Sequence, residues 1–176
     1  SVLLTALPAF AAGDGSITVS NPIDGQTYTA YKIFDVSYSA DKDAYRYSIR
    51  KNSEWYSVVS QYAGVQLTDH GDIAIVEKKT GFSAAAFVKL LSENSSGKTG
   101  NTLTKPEGSA IVSATGLDLG YYFVSSATGS LCNLTTTDPT AVIHDKNDTA
   151  FDKTDDKAAV EIGETVSYKI TSKVPD

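Results

Sequence analysis

Short runs of β-branched and aromatic residues, each closed by a turn signal, recur along most of this chain and commit it to sheet. The clearest is TYTAYKIFDVSYS at residues 27–39, whose Tyr, Ile, Phe and Val side chains suit a pleated, half-buried surface. Before it, Ile17 and Val19 alternate with Thr18 and Ser20, the period of a strand with one buried face. Asn21-Pro22 and Asp24-Gly25 supply the turn between the two runs. A charged turn follows at residues 41–43, and AYRYSI resumes the alternation with Tyr45, Tyr47 and Ile49. Together these read as a meander of strands.

Two helices interrupt the pattern. NSEWYSVVSQYAG places Trp55, Val58, Val59 and Tyr62 at helical spacing, with Asn52 or Ser53 as N-cap and Gly64 as the stop. GFSAAAFVKLLSENSSG is the stronger signal. Ser83 caps it, Phe82 and Phe87 flank the cap as a hydrophobic staple, and Phe87, Leu90 and Leu91 form the core stripe before Gly97 ends it. DIAIVEK, between the helices, reads as a strand, and residues 95–104 as a loop. Further on, SAIVSATGLDLGYYFVSSA forms two strands around Gly116 to Gly120, the second with Tyr122 and Val124 on one face. SLCNL and TAVIHDK are two more. The expected fold is mainly β, a sandwich of the Ig-like kind with a two-helix insertion; a ferredoxin-like α+β sheet is the architectural alternative.

Composition narrows the function classes. The chain has 176 residues, 41% of them hydrophobic, enough for one core of ordinary domain size. Its net charge of −6 opposes nucleic acid as a partner, because phosphate requires a basic face. One cysteine, Cys132, cannot close an internal disulfide, and its expected place is a small buried side chain. The apolar run from Val2 to Phe10, followed by small residues, has the character of the end of an export leader. Cleavage is expected between Ala11 and Ala12, so that residues 1–11 are residual signal peptide and the product is secreted.

Three stretches, in this order, resemble the shaft pilins of Gram-positive bacteria, the subunits that sortases join covalently. SITVSNPIDGQTYTAYKIFDVSYS looks like the opening strands of their N-terminal domain. GFSAAAFVKLLSEN, followed by GLDLGYYFVSS, is similar to the helix and turn-and-strand element of that domain. DKTDDKAAVEIGETVSYKITSKVP looks like the first strands of the next pilin domain, of the type that forms an intramolecular isopeptide bond. The resemblance implies an N-terminal domain at 12–149, the start of a second β domain at 150–176, and a structural role in a wall-attached pilus. Neighbouring subunits and a sortase would be its partners. The alternative is a monomeric wall-anchored adhesin that binds a host surface glycan or protein.

An isopeptide bond needs a neutral lysine, a protonated acid that polarises the asparagine amide, and enforced contact. The resemblance places Lys153 as the reactive lysine of the second domain, with its partners beyond Asp176, so it is expected to be unlinked here. Lys146 of IHDKND is the candidate lysine for joining subunits, although the Tyr-Pro that precedes it in such pilins is missing. Within the first domain, Lys32 and Asn133 are the one pair to weigh, and Lys32 reads rather as an outward residue whose stem covers apolar neighbours. No catalytic residue, metal site or cofactor is expected. His70 and His144 are the only histidines, no GxSxG elbow presents a nucleophile, and the Asp-rich turns lack Ca²⁺-loop spacing. Tyr28, Tyr38, Tyr45 and Tyr47 are expected to pack in the sandwich with their hydroxyls at its rim.

Overall fold

The computed structural model describes residues 13–38, 45–126, 128–135, 139–144 and 166–169. The described residues are mainly β: eleven strands in two sheets, with two short helices. The strands are β1 (Gly15–Val19), β2 (Thr29–Tyr38), β3 (Tyr45–Arg50), β4 (Val65–His70), β5 (Ile73–Lys78), β6 (Asn101–Thr102), β7 (Val112–Leu117), β8 (Gly120–Ser125), β9 (Thr128–Leu134), β10 (Thr140–Ile143) and β11 (Val166–Lys169). The helices are α1 (Tyr56–Ser60) and α2 (Ala84–Glu93).

The larger sheet runs β11-β9-β8-β2-β3-β5-β4, with β6 added beside the start of β2. Every described pairing in it is antiparallel. The smaller sheet runs β10-β1-β7, with β1 antiparallel to β7 and parallel to β10. That parallel pair joins residues more than a hundred positions apart, Ile17 opposite Ala141 and Val19 opposite Ile143.

Two apolar clusters divide the molecule into three layers. On one face of the large sheet, Tyr31, Phe34, Ile49, Tyr121 and Phe123 pack against Val58 and Val59 of α1 and Phe87, Val88 and Leu91 of α2. On the other face, Ala30, Tyr122, Val124, Cys132 and Leu134 meet Ile17, Val19, Leu117, Ala141 and Ile143 of the small sheet. β8 is therefore covered on both faces, and five successive residues, Gly120 to Val124, are buried. A strand buried on both faces needs a continuous apolar run in place of alternation, which GYYFV supplies. The helices are thus more than an insertion in a loop. They form a layer of their own over the large sheet.

α2 follows the sequence closely. Ser83 lies in extended backbone and its hydroxyl accepts a hydrogen bond from the Ala86 amide at 3.2 Å, the ordinary N-cap contact. Phe82 meets Phe87 edge-on, with ring centroids 5.8 Å apart. Tyr62 locks the same corner, stacking on Phe87 at 4.9 Å while its hydroxyl accepts from the Ser83 amide and donates to the Ser83 carbonyl. α1 is shorter than its pattern predicts. Its N-cap is Trp55, without a side-chain cap bond, because the Ser53 hydroxyl accepts from the Trp55 amide in the preceding turn. The predicted strand between the helices is a hairpin, β4 and β5, and residues 95–104 include the two-residue β6.

A bulge in β2 sets its chemistry. The register against β8 slips between Lys32 and Phe34. Tyr31, Ile33 and Phe34 all enter the helix-side cluster as a result, and Lys32 and Asp35 come together on the opposite face, 2.8 Å apart. Gly120 makes room for the slip: a side-chain Cβ there would lie 2.5 Å from the Phe34 carbonyl oxygen.

Candidate functional site

Two groups of polar residues and one sheet edge are the places where the described residues could do chemistry or bind. The first group surrounds the β2 bulge. Lys32 contacts Asp35 at 2.8 Å and Asp118 at 3.8 Å, and Arg50 reaches Asp35 at 3.6 Å. A shallow cavity of about 150 Å³ lies between Lys32, Asp35, Arg50 and Ser53. A wider depression of about 470 Å³ continues along Arg50, Lys51, Asn52 and Asp72. Its cations already have carboxylate neighbours: Lys51 pairs with Asp69 as Arg50 does with Asp35. That hydrogen bond raises the Lys51 pKa and lowers that of Asp69. Exposed pairs of this kind hold little energy and are screened by salt. The arrangement is a surface network of balanced charge.

The second group is buried. Asn133 on β9, 7% exposed, accepts a hydrogen bond from the Tyr47 hydroxyl, and its Nδ2 has no hydrogen-bond partner among the described residues. Tyr47 meets Tyr121 edge-on at 5.5 Å. Lys32 is remote from this group for a topological reason. The register Lys32–Tyr122–Cys132 puts Lys32 on the small-sheet side, whereas Asn133 sits opposite Tyr121 on the helix side. The Lys32–Asn133 pair considered from sequence is therefore separated by the sheet itself.

The edge is β9. On one side it pairs with β8, and on the other with β11, Val166 opposite Leu131 through Lys169 opposite Thr128. Residues 129–134 are all buried. Cys132 is fully buried among them, as its apolar character implied, and burial pushes its thiol up to about 12. The segment 150–176, read from sequence as the start of a second β domain, contributes β11, which takes the edge of the large sheet.

The remaining sequence-predicted residues distribute simply. Lys146, Lys153, Ala11 and Ala12 lie outside the described residues, as do both proposed domain boundaries. His70 ends β4 and is exposed. His144, also exposed, follows β10, its Nδ1 2.7 Å from the Ser20 hydroxyl. Tyr28 and Tyr47 are buried, whereas Tyr45 is 45% exposed. The Tyr38 side chain is outside the described set. Among the described residues no group of three or more His, Cys, Asp or Glu side chains could hold a metal ion, and no helix is long and apolar enough to cross a membrane.

The sequence reading missed the β9–β11 edge and the β2 bulge. The bulge had a signal. Tyr31 and Ile33 occupy one parity and Phe34 and Val36 the other, a phase slip inside an otherwise regular strand. Searched against models of known protein families and against curated proteins, the chain matches none.

Proposed function

We propose that this chain is a structural subunit of a sortase-assembled cell-surface pilus, and that residues 12–149 form its N-terminal domain. On this reading the two sheets are an Ig-like sandwich and the helices an insertion that has become a covering layer. The observation that carries the proposal is an aromatic nucleus built from two of the stretches that bear the pilin resemblance. Phe34 of β2, Phe87 of α2 and Tyr121 of β8 pack on one another, with centroid separations of 6.1, 5.3 and 6.4 Å. Segments far apart in sequence that resemble one family thus form one packed unit, as parts of a single inherited domain would.

The role follows from that resemblance. Such a subunit transmits tension through hydrogen-bonded ladders and is joined to its neighbours by a sortase at a lysine. Lys146 is the proposed linkage lysine, and Lys153 the isopeptide lysine of the following domain. Secretion after cleavage at Ala11–Ala12 and attachment to the cell wall complete the reading.

The test is the covalent polymer. Wall extracts from the native cell, boiled in detergent and probed for this chain, are expected to show a ladder of high-mass species. Lys146→Arg is expected to abolish it. A ladder that persists in Lys146→Arg removes that lysine from the scheme. A single monomeric band, with binding to a host glycan or matrix protein, replaces the pilus by a monomeric adhesin.

A further inference from the structure

The β2 bulge also opens the sheet beside it. The β2–β3 ladder ends at Asp35–Ser48, although β2 extends back to Thr29 and β3 runs on to Arg50. β3 is still held on its other side, where Ile49 and Arg50 pair with Ala74 and Ile73 of β5. The two strands therefore separate next to the bulge, and the cavity of about 150 Å³ lined by Lys32, Ile33, Asp35, Ile49, Arg50 and Ser53 occupies the split. Bulges recur beside binding sites because they end pairing and redirect side chains.

Arg50 joins this cavity to the depression of about 470 Å³. Backbone contacts fix the depression's frame. The Lys51 amide donates to the Asp72 carbonyl at 2.9 Å, and the Ser53 amide donates to the Arg50 carbonyl at 3.0 Å. The turn that follows β3 and the turn that precedes β5 are thus tied together. Their side chains keep unused hydrogen-bonding capacity. The nearest carboxylate oxygen to Arg50 is 3.6 Å away, too far for a hydrogen bond, and none holds its guanidinium among the described residues. Asn52 and Asp72 likewise have no side-chain hydrogen bond or ion pair among the described residues. Half-buried Ile73 adds an apolar patch to the same lining.

These groups discriminate between ligand classes. An anion drawn to Arg50 meets Asp35 and Asp72, and a cation drawn to Asp72 meets Arg50 and Lys51. A hydroxyl meets neither penalty, because it both donates and accepts. Guanidinium and amide donors beside a carboxylate acceptor therefore match neighbouring hydroxyls on a sugar ring, and the ring's C–H face matches Ile73. The volume is of the size that small-ligand sites have. We propose that the depression around Arg50, Asn52 and Asp72, with the cavity at the β2–β3 split, binds a neutral saccharide. It goes beyond the pilin reading and holds with or without polymerisation, since every residue invoked lies in one chain.

Amide chemical shifts of the isotope-labelled chain test it. The probes are neutral mono- and disaccharides of glucose, galactose, mannose and their N-acetylamino forms, titrated to about 50 mM, above the millimolar constants that a few polar contacts give. Saturable shifts centred on residues 48–53 and 72–73 are expected for at least one sugar. Arg50→Ala and Asp72→Ala, at exposed positions, should each weaken that sugar at least about tenfold while the unfolding midpoint holds. Lys89→Gln, on α2 and outside both cavities, should leave the affinity unchanged. No saturation by any sugar in the set overturns the proposal, as do saturable shifts centred elsewhere, full affinity in both alanine variants, or an equal loss in Lys89→Gln. Glucuronate binding tighter than glucose overturns the neutral ligand in favour of an anion. Failure here leaves the covalent ladder of the wall extracts, and the pilin reading it tests, untouched.

Discussion

Raising the pH should unfold this protein earlier than its surface charge alone would, and Cys132 is the reason. The thiol lies between the two sheets at 0% exposure, and burial moves its pKa from 9.0 to about 12. The folded state therefore binds a proton that the unfolded chain releases. With the folded value raised, stability is intact below the unfolded value and falls as pH climbs between the two. Each pH unit in that window costs about 1.4 kcal/mol. The loss should reach about 1–2 kcal/mol by pH 10 and approach about 4 kcal/mol near pH 12. Urea unfolding followed by Trp55 fluorescence, at half-unit steps from pH 7 to 10 with reductant present, measures the curve. Cys132→Ala lowers stability at neutral pH by removing buried volume, so the quantity compared is the slope. The variant should be flatter across pH 8.5–10 by about 1 kcal/mol. Parallel slopes for the two proteins would refute the argument. Tyr122, whose phenol is also raised by burial, adds a second loss only at higher pH.

Three further outcomes follow from the packing. Phe87→Ala empties the centre of the helix-side cluster, where Phe87 is 0% exposed and stacks on Tyr62 and Phe34, and should cost about 3–5 kcal/mol by urea denaturation. Gly120→Ala forces a Cβ to within 2.5 Å of the Phe34 carbonyl oxygen and should cost at least about 1–3 kcal/mol in the same denaturation; an unchanged midpoint would contradict the account of the bulge. Ser83→Ala should cost about 1 kcal/mol, and Ser83→Asn, which can still cap, should recover most of it in the same melt.

Most strands were legible because their side chains report one buried face: Ile17 and Val19, Tyr47 and Ile49, and Ala141 and Ile143 alternate as local pattern requires. α2 was legible down to its cap and staple, because both are contacts within a few residues. β8 was recognisable as a strand, yet its unbroken apolar run did not reveal that one face would meet helices and the other a second sheet. α1 was overextended because Trp55, Val58 and Val59 have helical spacing whether or not the first turn is helical, and the Ser53 hydroxyl favours the turn.

The candidate surface divides along the same line. Local sequence determined which residues prefer extended backbone, where turns fall, and that Cys132 is buried, since these depend on side-chain shape, backbone freedom and hydrophobicity over a few positions. Tertiary structure alone decided that β10 lies parallel to β1, that Lys32 and Asn133 face opposite sides of one sheet, and that β11 closes the β9 edge. Those relations join residues separated by tens to more than a hundred positions. Their free energy comes from burying surfaces that meet only once the sheets assemble, and no short window of sequence contains both halves of such a contact.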